Sequence, residues 1–97
     1  MTTSASLTLD CKAQVGKDVL FQELEGEAVL LNLKTGVYFG LDPVGARIWK
    51  LLAEHNRLGA IAEVITEEYE VTIEVCANDL LQLMGDLHRN DLVTIVQ

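Results

Sequence analysis

The chain has 97 residues, of which 15 are acidic and 7 are basic, and a formal net charge of −8. This length provides for one hydrophobic core, so we expect a single domain. The acidic balance lacks the basic field that draws proteins to DNA, RNA or anionic membranes, which makes all three poor candidates as partners. A hydrophobic fraction of 49% is typical of a folded domain rather than a disordered chain.

The first 18 residues show only a weak alternation of apolar side chains. This pattern fits either a tail or a loosely held strand, and we interpret 1–18 as an N-terminal tail and 19–97 as one domain. The N-terminus has no apolar run with a basic flank, so no secretory signal is predicted. Cys11 and Cys76 are too far apart for a CxxC motif, and we expect reduced thiols in a cytoplasmic protein.

Three strands are predicted next, over residues 19–24, 28–33 and 37–41. A turn at Glu25-Gly26 joins the first two, and Gly36 ends the second turn. Sequential strands usually pair with their neighbours. We therefore expect an antiparallel meander with 37–41 at one edge.

Two helices are predicted after the meander. Asp42 can cap the first through its carboxylate, and Pro43 is tolerated at the first helical position because its missing N–H needs no partner. Apolar residues recur at helical spacing to about residue 54, and again in a second helix that ends near Tyr69.

A third, longer helix is predicted from residue 73 to about 90, with Thr72 as its N-cap, and residues 92–96 form a closing strand. This order of elements predicts an α+β fold, a three-stranded antiparallel β-meander packed on a three-helix winged helix-turn-helix.

A winged helix suggests DNA binding, but the third predicted helix has the wrong charge for it. A helix in the major groove should expose Arg, Lys, Asn or Gln to bases and phosphates. This helix instead exposes Glu74, Asp79, Gln82 and Asp86, with Arg89 as its one basic residue. A winged-helix transcriptional regulator therefore stays only an alternative.

Catalytic patterns are lacking in the sequence. Ser4 and Ser6 lie in the predicted tail, and Cys76 stands at an apolar helical position typical of a core residue. His55 and His88 have no metal-ligand spacing, and no glycine-rich phosphate loop is present. We predict that the chain is not an enzyme and has no cofactor and no metal site.

The third predicted strand is suited to binding a peptide. Exposed edges are usually protected by charge or proline, and this strand has neither. Its alternation places Val37, Phe39 and Leu41 on one face and Tyr38 and Gly40 on the other. An extended peptide could add to it as a further strand. The alternatives are that the tail or last strand covers this edge, or that it forms a homodimer.

The third helix has an apolar stripe wider than one sheet face needs. Its centre consists of Ile73, Ala77, Leu80, Met84 and Leu87. Cys76 and Leu83 form one flank, where Asp79 and Asp86 follow at helical spacing. This flank is a candidate groove wall for a peptide with apolar anchors and some basic residues.

The segment from Gly26 to Trp49 resembles the PqqD-like family of peptide recognition elements. The shared pattern is a strand, a Thr35-Gly36 turn, an aromatic strand and then Leu41-Asp42-Pro43-Val44-Gly45-Ala46-Arg47-Ile48-Trp49 at the start of a helix. The resemblance covers roughly residues 19–96. It implies a non-catalytic protein that binds the leader of a ribosomally made precursor peptide along the third strand.

The resemblance also implies which residues bind the leader and which partner acts next. The peptide-binding residues would be those of the third strand, Val37, Tyr38, Phe39, Gly40 and Leu41, and those of the third helix, Cys76, Asp79, Leu80, Leu83, Met84 and Leu87. The partner would be a separate modifying enzyme, such as a leader peptidase, a cyclase or a radical enzyme. The acidic second helix is a candidate contact for that enzyme. Family members that serve the quinone coenzyme do not usually have the run from Tyr38 to Ala46, which favours a lasso peptide.

Overall fold

A computed structural model describes residues 7–25 and 27–96. The elements in chain order are β1 (Lys12–Val15), β2 (Val19–Leu24), β3 (Glu27–Asn32), β4 (Tyr38–Leu41), α1 (Pro43–Leu51), α2 (Leu58–Tyr69), α3 (Ile73–Arg89) and β5 (Val93–Val96). The predicted α+β class, with an antiparallel meander and three helices, is confirmed. The winged helix-turn-helix description stays a prediction. None of the helices in these two ranges is long and apolar enough to cross a membrane.

The meander forms a three-stranded sheet in the order β2-β3-β4. Its register places Phe21, Leu30 and Phe39 opposite one another in one cross-strand row, and Leu20, Leu31 and Tyr38 in the next. Because successive side chains on a strand alternate between faces, these rows belong to opposite faces of the sheet. Leu30 is fully buried, and β3 and β4 pack against α1, so the Phe21 row faces the helices.

Helices α1 and α3 begin where the local sequence predicts. The Gly45 amide donates a hydrogen bond to Asp42 Oδ1 at 2.7 Å, and Pro43 lies at the first helical position of α1. The Val75 amide donates to Thr72 Oγ1 at 3.3 Å at the start of α3. Each cap satisfies an amide that has no partner within the helix. Both predicted caps are therefore confirmed.

The N-terminal segment is part of the fold, so the predicted boundary between a tail 1–18 and a domain 19–97 needs correction. Strand β1 pairs antiparallel with β5, from Lys12 opposite Val96 to Val15 opposite Val93. Cys11 and Ala13 are 2% and 1% exposed. A partner some 80 residues away cannot be inferred from local alternation. The part of the predicted tail that contains Ser4 and Ser6, residues 1–6, lies outside the described residues.

Asn32 is a buried polar residue that joins two distant turns. Its Nδ2 donates hydrogen bonds to the carbonyl oxygens of Asn90 and Asp91 at 3.2 and 3.1 Å. Its Oδ1 accepts from the amides of Lys34 and Thr35 at 2.9 and 3.2 Å. A buried side-chain amide is costly unless it is satisfied in this way. The bonds hold the β3–β4 turn against the end of α3 and so fix where β4 begins.

Candidate peptide-binding site

Strand β4 is an open edge of the sheet. It pairs with β3 on one side, and no strand within residues 7–25 and 27–96 pairs with its other side. The closing strand β5 pairs with β1, so neither the last strand nor residues 7–18 of the predicted tail pair with this edge. The predicted edge position is confirmed, and a row of backbone donors and acceptors faces outward from β4.

The side chains of β4 alternate as predicted. Leu41 is 8% exposed and Phe39 is partly buried, whereas Tyr38 is 71% exposed. Gly40 is exposed, and a Cβ atom placed there would meet nothing within 4 Å. The prediction that Val37 begins the strand on the same face as Phe39 and Leu41 needs correction, because Val37 lies just before the strand and is exposed. One side of β4 therefore completes the core, while the other leaves an aromatic ring beside open space.

A cleft of about 410 Å³ adjoins the end of β4. Strand β4 and the start of α1 form one side, and Asp79 and Leu83 of α3 form the other. Gly45 lets the start of α1 lie close to the end of β4, because a Cβ there would lie 3.1 Å from Asp42 Oδ1 and 3.3 Å from a methyl group of Leu41. The cleft is lined by Gly40, Leu41, Asp42, Val44, Gly45, Ile48, Asp79 and Leu83.

A second pocket, of about 230 Å³, continues from the cleft towards the start of α3. The two cavities share Val44, Ile48 and Asp79. The second pocket is mostly apolar and is lined by Val44, Ile48, Ile65, Tyr69, Val71, Val75, Cys76 and Asp79. We call the two cavities together the β4–α3 groove.

Three of the predicted helix residues do not line this groove. Leu80, Met84 and Leu87 are at most 1% exposed, because this part of α3 packs against α2 and β5. Assigning them to the groove wall is therefore corrected: they are core residues. Cys76 lines the second pocket, and its Sγ donates a hydrogen bond to the carbonyl oxygen of Ala62 at 3.5 Å.

The helix α1 supplies a wall that sequence reasoning missed. Val44 and Ile48 line both cavities, and Tyr69 and Val71 line the second pocket. Val44 and Ile48 are four residues apart, so they lie on the same face of α1. That signal identifies a shared apolar face, but it does not separate a groove wall from a core contact.

The charges near the groove are unevenly compensated. Asp86 pairs with Arg89 on α3. Asp79 is exposed and lies in the groove, and it takes part in no ion pair with the described residues. A basic residue of a bound peptide could therefore form an ion pair with Asp79.

An ion pair lies away from the groove, between α1 and α2. Arg47 donates two hydrogen bonds to the carboxylate of Glu68, at 2.9 and 2.6 Å. This bonding raises the pKa of Arg47 and lowers the pKa of Glu68 from their ordinary values. The pair joins α1 and α2 at the surface. The residues that line the groove include no Lys or Arg.

A larger cavity, of about 550 Å³, opens between β1, β2 and α1. Its lining includes Val15, Phe21 and the buried Trp49. No residue of β4 lines it. It cannot receive a strand added to the β4 edge, so we assign peptide binding to the smaller groove.

Comparison with known proteins agrees with this geometry. Residues 27–93 match the family described as coenzyme PQQ synthesis protein D (PqqD). Among solved structures, TbiB1 in complex with the TbiA(beta) leader peptide is 39% identical, with a TM-score of 0.77. That match covers 82% of this chain and 93% of TbiB1.

A second solved structure is a lasso peptide synthetase B1 complexed with the leader peptide. It is 23% identical with a TM-score of 0.77, and the match covers 86% of this chain and 98% of that one. At this identity the likeness establishes the fold. No curated protein matches the chain.

Proposed function

This chain belongs to the PqqD family, and we propose that it is a non-catalytic adaptor that binds the leader of a ribosomally made precursor peptide. The observation that carries the proposal is the open edge of β4 beside the β4–α3 groove. The adaptor presents the bound precursor to a separate modifying enzyme in the cytoplasm. The relative TbiB1, whose structure contains a leader peptide, supports this role.

Binding proceeds by addition of the leader to the sheet. Backbone hydrogen bonds from the leader to residues 38–41 supply affinity that does not depend on sequence. Alternate side chains of the added strand point into the groove, where the apolar lining and Asp79 select apolar anchors and a basic residue. Specificity therefore comes from the groove rather than from the strand.

The adaptor contributes proximity rather than chemistry. Holding the leader and the enzyme together raises the effective concentration of the precursor at the enzyme, which requires two separate binding surfaces. A lasso peptide precursor is the favoured substrate, because family members that serve the quinone coenzyme do not usually have the run from Tyr38 to Ala46.

The alternative of a DNA-binding regulator is disfavoured by the surface of α3. Its exposed side chains include Glu74, Asp79 and Gln82, and its basic Arg89 pairs with Asp86. Such a surface repels a polyanion. Homodimerisation through β4 remains a second candidate, because the same open edge could pair with a copy of itself.

A backbone amide NMR titration tests the proposal directly. The isotope-labelled protein is titrated with a panel of synthetic leader peptides that includes the TbiA(beta) leader and leaders of lasso peptide precursors. We expect shifts concentrated in residues 38–41 and in the groove-facing residues of α3. A flat response to every leader would contradict leader binding and favour dimerisation or regulation.

The variant Leu83→Glu tests the groove wall. Leu83 is partly buried and lines the cleft, so a carboxylate there must be desolvated by the bound leader. We expect leader affinity to fall by about a hundredfold. Leu81→Glu is the matched control, because Leu81 is also partly buried on α3 but lines neither cavity. If both variants have native circular dichroism and bind the leader with equal affinity, Leu83 is not part of the peptide-binding wall.

A further inference from the structure

The face of the three-stranded sheet that points away from the helices carries an apolar surface. One cross-strand row consists of Leu20, Leu31 and Tyr38, and the next consists of Gln22, Val29 and Gly40. Leu20 is 45% exposed and Tyr38 is 71% exposed. With Leu24, at 69% exposure at the end of β2, these residues form what we call the outer face.

The outer face differs from the usual solvated face of a sheet. Antiparallel strands with one solvent-exposed face normally alternate apolar and polar side chains. Here Gln22 and the hydroxyl of Tyr38 are the polar side-chain groups in the two rows, which carry no formal charge in a protein of net charge −8. Glu27 lies in the next row, opposite Leu24. Contiguous exposed apolar side chains of this kind mark an interaction surface.

We infer that the outer face binds the peptide-modifying enzyme, an inference that rests on the proposed leader-binding function. The outer face reaches the β4 edge, so a leader added there extends both rows by one strand. Side chains of the leader that do not enter the groove then lie beside Tyr38 and Gly40. The enzyme thus contacts the adaptor and the leader across one continuous surface.

Charge distribution specifies the chemistry of this partner. The acidic side chain of Glu25 is exposed at the β2–β3 turn, and that of Glu27, the first residue of β3, is exposed on the outer face opposite Leu24. The complementary enzyme surface is an apolar patch bordered by basic residues on that side. A second copy of this chain would oppose two proteins of charge −8 and bring these acids together, which favours the enzyme as occupant.

The experiment uses the leader peptidase that acts on the precursor whose leader binds in the titration. Adaptor-dependent leader cleavage and leader affinity are measured in parallel for the wild type and for Leu20→Glu. We expect leader affinity to stay within about twofold and cleavage at low adaptor concentration to fall by about tenfold. Leu24→Glu, at a more exposed position, should act in the same direction if Leu20→Glu folds poorly.

Val96→Glu is the matched control, because Val96 is 44% exposed on a strand of the other sheet and the charge change is the same. It should keep wild-type cleavage. Glu67→Lys tests the acidic α2 as the competing surface and should also keep it. The inference is overturned if both outer-face variants, folded by circular dichroism, support wild-type cleavage, or if Glu67→Lys alone lowers it.

Two further readouts separate the remaining outcomes. The affinity of the peptidase for the adaptor should rise when leader is added, since the leader completes the shared surface; no rise would overturn this part of the inference. Sedimentation velocity should give a monomer, and a dimer that Leu20→Glu dissociates would reassign the outer face to a second copy. Absence of leader binding by the wild type would instead contradict the proposed function itself.

Discussion

Leu30 and Leu31 are neighbours in β3 with the same side chain, but they lie on opposite faces of the sheet. Leu30 is fully buried between Phe21 and Phe39 and faces α1, while Leu31 lies between Leu20 and Tyr38 on the outer face and is partly exposed. Hydrophobicity alone therefore does not assign a role. The inner face stabilises the fold, and the outer face keeps apolar surface available for binding.

The strongest test of this comparison truncates the two leucines. We expect Leu30→Ala to lower the free energy of unfolding by about 2–5 kcal/mol, because it leaves a cavity in the core. Leu31→Ala should lower it by about 1 kcal/mol or less, since its side chain already contacts solvent. Urea denaturation measures both. Equal losses would mean that the outer face also belongs to the stabilising core.

The polar residue of the inner face gives the next largest effect. Asn32→Leu removes hydrogen bonds to two carbonyl oxygens and two amides. Groups left without partners at a buried site should lower the free energy of unfolding by about 2 kcal/mol. Asn78→Leu on the exposed face of α3 is the control and should change it by less than about 0.5 kcal/mol. A neutral Asn32→Leu would show that the two turns hold without this side chain.

The smallest effect is expected at the rim of the inner face. Glu23 Oε1 lies 2.7 Å from Lys50 Nζ of α1, and both side chains are more than 40% exposed. Glu23→Gln should lower the free energy of unfolding by about 0.2–1 kcal/mol at low salt, and the loss should shrink as salt screens the pair. Glu27→Gln, at an exposed position outside the ion pairs of the described residues, is the control. A larger, salt-independent loss would place Glu23 among the core-stabilising residues.

Local chemistry made much of the fold predictable. Asp42 and Thr72 cap helices through amides three residues ahead, so each signal lies within one turn. The strands of the meander pair with their sequence neighbours, so their order follows from short connections. The open β4 edge, the centre of the candidate site, was predictable for the same reason.

The groove was only partly predictable. Asp79 and Leu83 lie at its wall as their helical spacing indicated, but Leu80 and Met84 belong to the core. A helix stripe records which residues are apolar and not which neighbouring element covers each one. Ile48 lines the groove because of where α1 lies relative to α3. The spacing of residues within either helix does not specify that arrangement.

The amino-acid sequence by itself determined the starts of α1 and α3, the three-strand meander, the unprotected edge and the acidic surface that disfavours nucleic acid. These features depend on residues close together in the chain or on composition. Only the tertiary structure decided that β1 pairs with β5, that Asn32 holds two turns together and that Leu31 lies opposite Tyr38 on the outer face of the sheet. Each of these features depends on contact between segments that meet only when the chain folds. The stabilisation from such a contact therefore cannot be inferred from local sequence.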